Sequence, residues 1–204
     1  MLTNSEQLKN YTHAVHIQFE QKLIPLIKSV STRSEYADLL KLFYSFYAPM
    51  EKRLSMVNGI EILSNGIQLR KSTSLKEDIT ALNTTVENLP LCSNLPKCND
   101  LSSAFGVMYV LEGSVLGGKT IANMITKNLP ADGALPFSFF LHYGDDARLM
   151  WSQFKTRLDS TKNLSKPDIL LAATDTFLVF QDWIDKSAHL FASFVKQRTD
   201  QINS

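Results

Sequence analysis

A histidine and a glutamate four residues apart are the first residues in the chain whose types and spacing could do chemistry. His16 and Glu20 lie in residues 5–23, where apolar side chains recur along one helical stripe. Residues at i and i+4 are neighbours on a helix surface, and a carboxylate beside an imidazole commonly orients a metal-ligating histidine. A histidine among apolar residues is more often a hydrogen-bonded core side chain, so the pair alone is a weak indication of a metal ligand.

The second candidate is an apolar stretch, residues 104–125, whose periodicity predicts one long helix. It contains the glycines Gly106, Gly113, Gly117 and Gly118. Each glycine inside a helix costs roughly 1 kcal/mol relative to alanine, and close helix packing is the usual reason for a single one. Four together, with a Gly-Gly pair that favours a kink, predict a bent face without side chains. A flat ligand could lie there directly on backbone atoms.

Composition limits the classes of protein to which the chain can belong. Its 204 residues, 44% hydrophobic and 20% charged, can bury one core, so we expect residues 1–204 to form a single domain. A formal net charge of +1 argues against a nucleic-acid or membrane-surface partner. We see no signal-peptide pattern and no apolar run of the ~18 to 20 residues that span a bilayer. A cytoplasmic location is therefore expected.

Helical periodicity also accounts for most of the remaining chain, and no segment alternates as a strand does. Further helices are predicted over residues 34–57, 75–86, 145–158 and 166–198. Residues 58–74 are expected to be irregular or briefly helical, and residues 87–100 to form a loop that contains both cysteines. The predicted fold class is all-α, a bundle of about six to eight helices.

The two candidate segments together resemble the haem oxygenase family. The first carries the pattern Thr12-x-x-x-His16-x-x-Phe19-Glu20, and the second reads Tyr109-Val-Leu-Glu-Gly113-Ser-Val-Leu-Gly117-Gly118-Lys119. The likeness covers nearly the whole chain and is greatest with the bacterial branch found beside bacteriophytochromes. The glycine motif is the specific part of it, because histidine and glutamate at this spacing occur in many unrelated helices.

The resemblance implies a single-domain, haem oxygenase-like helical bundle with haem between the two segments. His16 would be the ligand of the haem iron, and Glu20 would accept a hydrogen bond from the second ring nitrogen. Gly113, Gly117 and Gly118 would lie over the opposite face of the haem. There, the absence of side chains would leave room for dioxygen and direct it toward one meso carbon of the porphyrin.

Basic and aromatic side chains complete the site that the resemblance implies. Lys9 is similar to the lysine of the first helix that faces a haem propionate in the family. Lys155 or Arg157 lies where the family has a basic residue near the other propionate. Phe177, and with it Phe180, would line the edge of the haem.

The implied chemistry is the opening of the haem ring, in which haem is both cofactor and substrate. Dioxygen and electrons from an external donor, such as ferredoxin or a reductase, would yield biliverdin, ferrous iron and carbon monoxide. A phytochrome could then receive the biliverdin. One position departs from the animal-type enzymes, which have an aspartate where this chain has Ser114. A serine hydroxyl can hold a water molecule but is not the same acceptor as a carboxylate.

Two other hypotheses stay open. The first is a haem carrier or sensor with the same fold, which would keep His16 but not turn haem over. The second is another enzyme with a similar bundle. A thiaminase-like hydrolase would need a cysteine nucleophile in the pocket, whereas Cys92 and Cys98 fall in the predicted loop. A carboxylate di-iron site would need paired Glu-x-x-His motifs, which are not found around His13, His16, His142 and His189.

Overall fold

The structure, a computed structural model, describes residues 2–64, 71–131 and 133–187, and within these ranges it is helical without strands. The helices are α1 (Asn4–Ser29), α2 (Arg33–Leu54), α3 (Glu61–Ser64), α4 (Lys71–Ala81), α5 (Leu101–Gly113), α6 (Gly118–Asn128), α7 (Ala147–Ser160) and α8 (Lys166–Ser187). A 3-10 turn, Ser114–Gly117, joins α5 to α6. The predicted all-α fold class is confirmed.

Helix α1 packs along α8 and is tied to the bundle at both ends. Thr3 caps its N-terminus through a capping box. The backbone N–H and the hydroxyl of Ser5 both donate to the Asp159 carboxylate at the end of α7, at 2.8 Å each. At the other end, the Asn128 amide of α6 donates to the Lys28 carbonyl at 2.9 Å. These ties fix α1 relative to α6 and α7.

Gly106 sets the distance between α5 and α8. A Cβ atom at this position would lie 2.3 Å from the Ile169 carbonyl oxygen and 2.9 Å from the Cβ atom of Ala172. Both distances are shorter than real contacts allow, and the first is to backbone, which cannot rotate away. Gly106 is therefore required for close packing of the two helices.

We expect Gly106→Ala to destabilise the protein by about 1 to 3 kcal/mol, because it overpacks the contact between two helix backbones. Gly117→Ala is the matched control, since no atom outside its own helix lies within 4 Å of the added methyl group. Alanine there should leave stability unchanged or raise it by up to about 1 kcal/mol. Thermal unfolding of both variants measures the difference. Equal melting temperatures would contradict this account of Gly106.

The predicted helix at residues 75–86 is displaced toward the N-terminus in the structure, where α4 spans Lys71–Ala81. The Glu51 carboxylate of α2 accepts hydrogen bonds from the backbone N–H groups of Lys71 and Ser72 and so caps the start of α4. Asn83 has a φ of 57° and stops the helix well before residue 86. A cap supplied by another helix is invisible to local sequence patterns.

Two prolines, Pro25 and Pro49, lie inside helices. Helix α1 continues through Pro25 to Ser29, past its predicted end at residue 23, because Leu23 and Ile27 are buried on either side of the proline. Pro49 lies inside α2, which ends at Leu54. Tertiary packing outweighs the lost backbone hydrogen bond in both helices. Residues 188–198 of the predicted last helix lie outside the described residues.

The segment Leu101–Asn128 contradicts the expectation that no apolar run in the chain is long enough to span a bilayer. Among the described residues, it is one helical segment of 28 residues that could cross a membrane by length and composition, with a mean hydropathy of 1.2 in its most apolar window. However, 61% of that window is buried inside the bundle, and α5 packs extensively against α8. Burial of this kind is typical of a central core helix.

Candidate active site

A cavity of about 820 Å³ lies between α1 and the 3-10 turn that joins α5 to α6. This volume is in the range of small-molecule sites, roughly 300 to 1,000 Å³. The residues predicted from the sequence that line it are Lys9, His16, Glu20, Gly113, Ser114, Gly117, Gly118, Lys155, Phe177 and Phe180. The fold therefore brings both candidate segments to one cavity.

Arg157 is the predicted site residue that does not line the cavity. Lys155 does line it, with Nζ 5.9 Å from the centre of the Trp151 ring. Two residues along a helix turn the side chain by roughly 200°, so α7 cannot present both basic side chains to the same wall. Of the two alternatives, the structure brings Lys155 to the cavity.

The side chains of His16 and Glu20 are paired as their spacing predicts. Nε2 of His16 lies 3.4 Å from Oε1 of Glu20, and each side chain is 51% exposed. The Phe177 ring lies against the imidazole, with the ring centres 5.3 Å apart. A half-exposed histidine on a cavity wall is not a core residue. In this arrangement Glu20 engages Nε2 and leaves Nδ1 for another partner, and a ligand bound through Nε2 would require Glu20 to pair with Nδ1.

The glycine-rich stretch, predicted as one long helix, is interrupted in the structure by the 3-10 turn Ser114–Gly117, which we call the roof turn. No atom outside its own helix lies within 4 Å of the Cβ position of Gly117, so this residue faces open cavity. A Cβ atom at Gly113 would make ordinary contact with the Trp151 ring at 3.5 Å. The roof turn thus presents backbone to the cavity, and Gly117 has the most room in front of it.

Gly118 has a second physical reason to be glycine. A Cβ atom there would lie 1.8 Å from the Phe140 carbonyl oxygen and 2.9 Å from its carbonyl carbon. The residue borders the cavity, but close packing against the backbone at Phe140 already excludes any side chain. Gly106 and Gly118 are therefore packing glycines, whereas Gly113 and Gly117 face the cavity.

The hydroxyl of Ser114 is held in a defined orientation. It donates to the Leu111 carbonyl at 2.6 Å, and the Tyr47 hydroxyl lies 3.2 Å from the same Oγ atom. Because the Ser114 proton is already used, Tyr47 is the donor of the second bond. Burial raises the pKa of Tyr47 above its usual range and keeps that hydroxyl protonated. Ser114 retains one lone pair that can accept a hydrogen bond from water in the cavity.

Sequence reasoning missed other residues of the cavity wall. Tyr47 lies in the predicted helix over residues 34–57 with nothing to single it out, and Lys71 lies in a segment expected to be irregular or briefly helical. Both line the cavity, as do Trp151 and the consecutive aromatics Phe139 and Phe140. No local pattern distinguishes these residues from core aromatics or a surface lysine, because their neighbours come from distant parts of the chain.

The structure does not support the other enzyme hypotheses. Neither Cys92 nor Cys98 lines the cavity, and burial raises the pKa of both thiols, that of Cys98 to about 12. Neither is poised as a thiolate nucleophile. Across residues 2–64, 71–131 and 133–187, no group of three or more metal-binding side chains converges, as a di-iron site would require. His189 lies outside these residues.

Comparisons with known proteins agree with the resemblance noted in the sequence. A sequence model of the heme oxygenase family matches residues 2–186. A heme oxygenase of Xanthomonas campestris pv. campestris (strain 8004) is 29% identical over 128 residues, which is 61% of this chain and 72% of the relative. Heme oxygenase-1 from the cyanobacterium Synechocystis sp. PCC6803, solved in complex with heme, superposes over 100% of both chains with a TM-score of 0.70 and 15% identity.

At 15% identity the structural likeness shows the fold alone, which is the all-α fold of a heme oxygenase. The family model carries more, because it matches most of the chain and includes α1 and the roof turn. Together with the cavity between these two elements, the match leads to one conclusion: the chain belongs to the haem oxygenase family.

Proposed function

We propose that the cavity binds haem with His16 as the iron ligand and that the ring is opened on the face beneath the roof turn. The reaction of a haem oxygenase cleaves haem, with dioxygen and reducing equivalents, to biliverdin, Fe²⁺ and carbon monoxide. One observation carries the proposal. A half-exposed imidazole held by a carboxylate and a turn with open space at Gly117 line the same cavity.

The residues of the cavity fit a haem group. Imidazole is a suitable ligand for iron, and the carboxylate of Glu20 raises its basicity and fixes its ring. Aromatic side chains such as Phe177 offer apolar contact to the porphyrin. Lys9 and Lys155 are cations on the cavity wall that can pair with the two propionates. The cyanobacterial structural neighbour is itself a complex with heme.

The chain contributes positioning more than acid-base chemistry. His16 on α1 would hold the haem iron, and Gly117 of the roof turn would leave space for dioxygen. Backbone without side chains at Gly117 would leave room for dioxygen beside one part of the ring, which is an effect of proximity. The Tyr47 and Ser114 hydroxyls can hold a water molecule near that face, from which a proton can be delivered.

Turnover of haemin by the purified protein tests the function directly. Haemin is added with an electron donor, either ascorbate or ferredoxin with its reductase, and the absorption spectrum is followed. An enzyme loses the Soret band and gains the absorption of biliverdin in the red. A haem carrier or sensor keeps the Soret band under the same conditions, and that result would overturn the proposal.

The two basic residues of α7 provide a matched test of the propionate contacts. Lys155→Gln should weaken haemin binding by up to about fivefold, because an exposed ion pair contributes at most ~1 kcal/mol. Lys9→Gln should have a similar effect. Arg157→Gln should leave the affinity unchanged, since Arg157 does not line the cavity. Haemin titrations at low and high salt measure these differences, and the reverse ranking of Lys155 and Arg157 would contradict the assignment.

We propose further that the protein belongs to the bacteriophytochrome-associated branch, as its sequence resembles that branch most closely. Electrons would come from a donor such as ferredoxin or a reductase, and a phytochrome could receive the biliverdin. A cytoplasmic location and a single domain over residues 1–204 fit this role. Adding a phytochrome apoprotein to the turnover assay tests it, because chromophore attachment shifts the biliverdin spectrum.

A further inference from the structure

A buried ion pair lies at the end of α5, next to the roof turn. Nζ of Lys71 and Oε1 of Glu112 are 3.0 Å apart, with the two side chains only 3% and 4% exposed. Burying two charges costs their hydration energy. Replacing a buried ion pair with two apolar side chains of similar size often leaves a protein at least as stable. Stability alone therefore does not explain this pair. Its position, with Lys71 bordering the cavity and Glu112 in α5, suggests a role in the site.

The ammonium group of Lys71 also donates to the Leu111 carbonyl. Leu111 belongs to the last turn of α5, where the α-helix passes into the 3-10 turn, and its carbonyl oxygen carries a partial negative charge that favours a cation. The same carbonyl accepts the Ser114 hydroxyl. Two donors thus satisfy the backbone where the α-helix changes to the 3-10 turn, and one of them comes from α4.

Lys71 and Glu112 are in turn held by other elements. The Tyr143 hydroxyl donates to the second oxygen of Glu112 at 3.0 Å. The backbone N–H of Lys71 donates to Glu51 of α2 at 2.8 Å. The ammonium position is therefore set by α2, α4 and the segment after α6, and not by α5 alone. A group fixed in this way can act as a rigid support for the end of α5.

We propose that Lys71 is a positioning residue that holds the roof turn in its 3-10 conformation and so places Ser114 and Gly117 over the haem face. The inference rests on the proposed function, because it assigns a role to Lys71 in the same cavity. Lys71 acts through the Leu111 carbonyl and Glu112, and its role is to fix the position of the roof-turn backbone relative to one meso carbon.

Lys71→Met tests the proposal, since methionine keeps an unbranched side chain and removes the charge. Haemin affinity should stay within a few-fold of that of the wild type, and the spectrum of the His16-ligated complex should be unchanged, because α1 is not altered. Turnover should fall by about 10-fold to 100-fold, as expected for a displacement of about 1 Å at a reacting centre. The product should change from one biliverdin isomer to a mixture, as measured by chromatography.

The double variant Lys71→Met/Glu112→Leu separates positioning from stability. It removes both buried charges, so the melting temperature should recover relative to Lys71→Met. The Leu111 carbonyl still lacks its donor from α4, so the mixture of biliverdin isomers should persist. Wild-type turnover with a single isomer in the double variant would show that Lys71 is merely structural and would overturn the proposal. Failure of the wild-type protein to release biliverdin would instead refute the proposed function.

Discussion

Replacing His16 with alanine is expected to abolish haem turnover and to remove the nitrogen-ligand spectrum of the ferric complex. The His16 imidazole is the proposed ligand of the iron. Alanine removes this ligand, and it also leaves Glu20 without the ring nitrogen with which it pairs. Haemin should still bind, because the apolar walls and the lysines remain. Added imidazole should restore part of the spectrum by filling the space left by the side chain. Absorption and resonance Raman spectra measure both effects.

His13→Ala is the matched control, because His13 borders the same cavity from the same helix. It should keep the nitrogen-ligand spectrum of the wild-type complex. If that spectrum and turnover survived in His16→Ala and were lost in His13→Ala, the iron ligand would be His13 and the assignment to His16 would be wrong. Glu20→Gln should have a smaller effect, a loss of about 10-fold to 100-fold in activity, because it perturbs the ligand without removing it.

Replacing Gly117 with phenylalanine should reduce turnover by at least about 100-fold, because a bulky side chain fills the space in which dioxygen must be oriented. Haemin affinity should change little, since His16, Lys9 and Lys155 are unaltered. The Cβ position of Gly117 has no neighbour within 4 Å, so the variant should fold. Stopped-flow turnover and carbon monoxide binding to the reduced complex measure access to that face of the haem.

Gly117→Ala is the control for this variant, and its single methyl group should leave most of the turnover intact. Gly118 cannot serve the same purpose. A methyl group there would meet the Phe140 carbonyl at 1.8 Å, so Gly118→Ala should lose stability before any effect on oxygen can be measured. If Gly117→Phe turned haem over at the wild-type rate, the roof turn would not be the oxygen-binding face.

The fold class could be predicted from local patterns because helical periodicity is a property of neighbouring residues. The capping box at Thr3 and the apolar stripe of α1 are both readable within a few turns of chain. Boundaries were less predictable. The start of α4 depends on Glu51, which lies in another helix, and α1 continues through Pro25 because burial of its flanks outweighs a lost hydrogen bond.

The amino-acid sequence by itself determined the His16–Glu20 pair and the irregular point in the glycine-rich helix. Both follow from spacing along one element, which is set by 3.6 residues per turn. Only the tertiary structure decided that Gly118 packs against Phe140 while Gly117 faces open space. It also decided that Lys155 and not Arg157 borders the cavity, and that Lys71 reaches the Leu111 carbonyl. These contacts join residues far apart in the chain, so no local pattern encodes them.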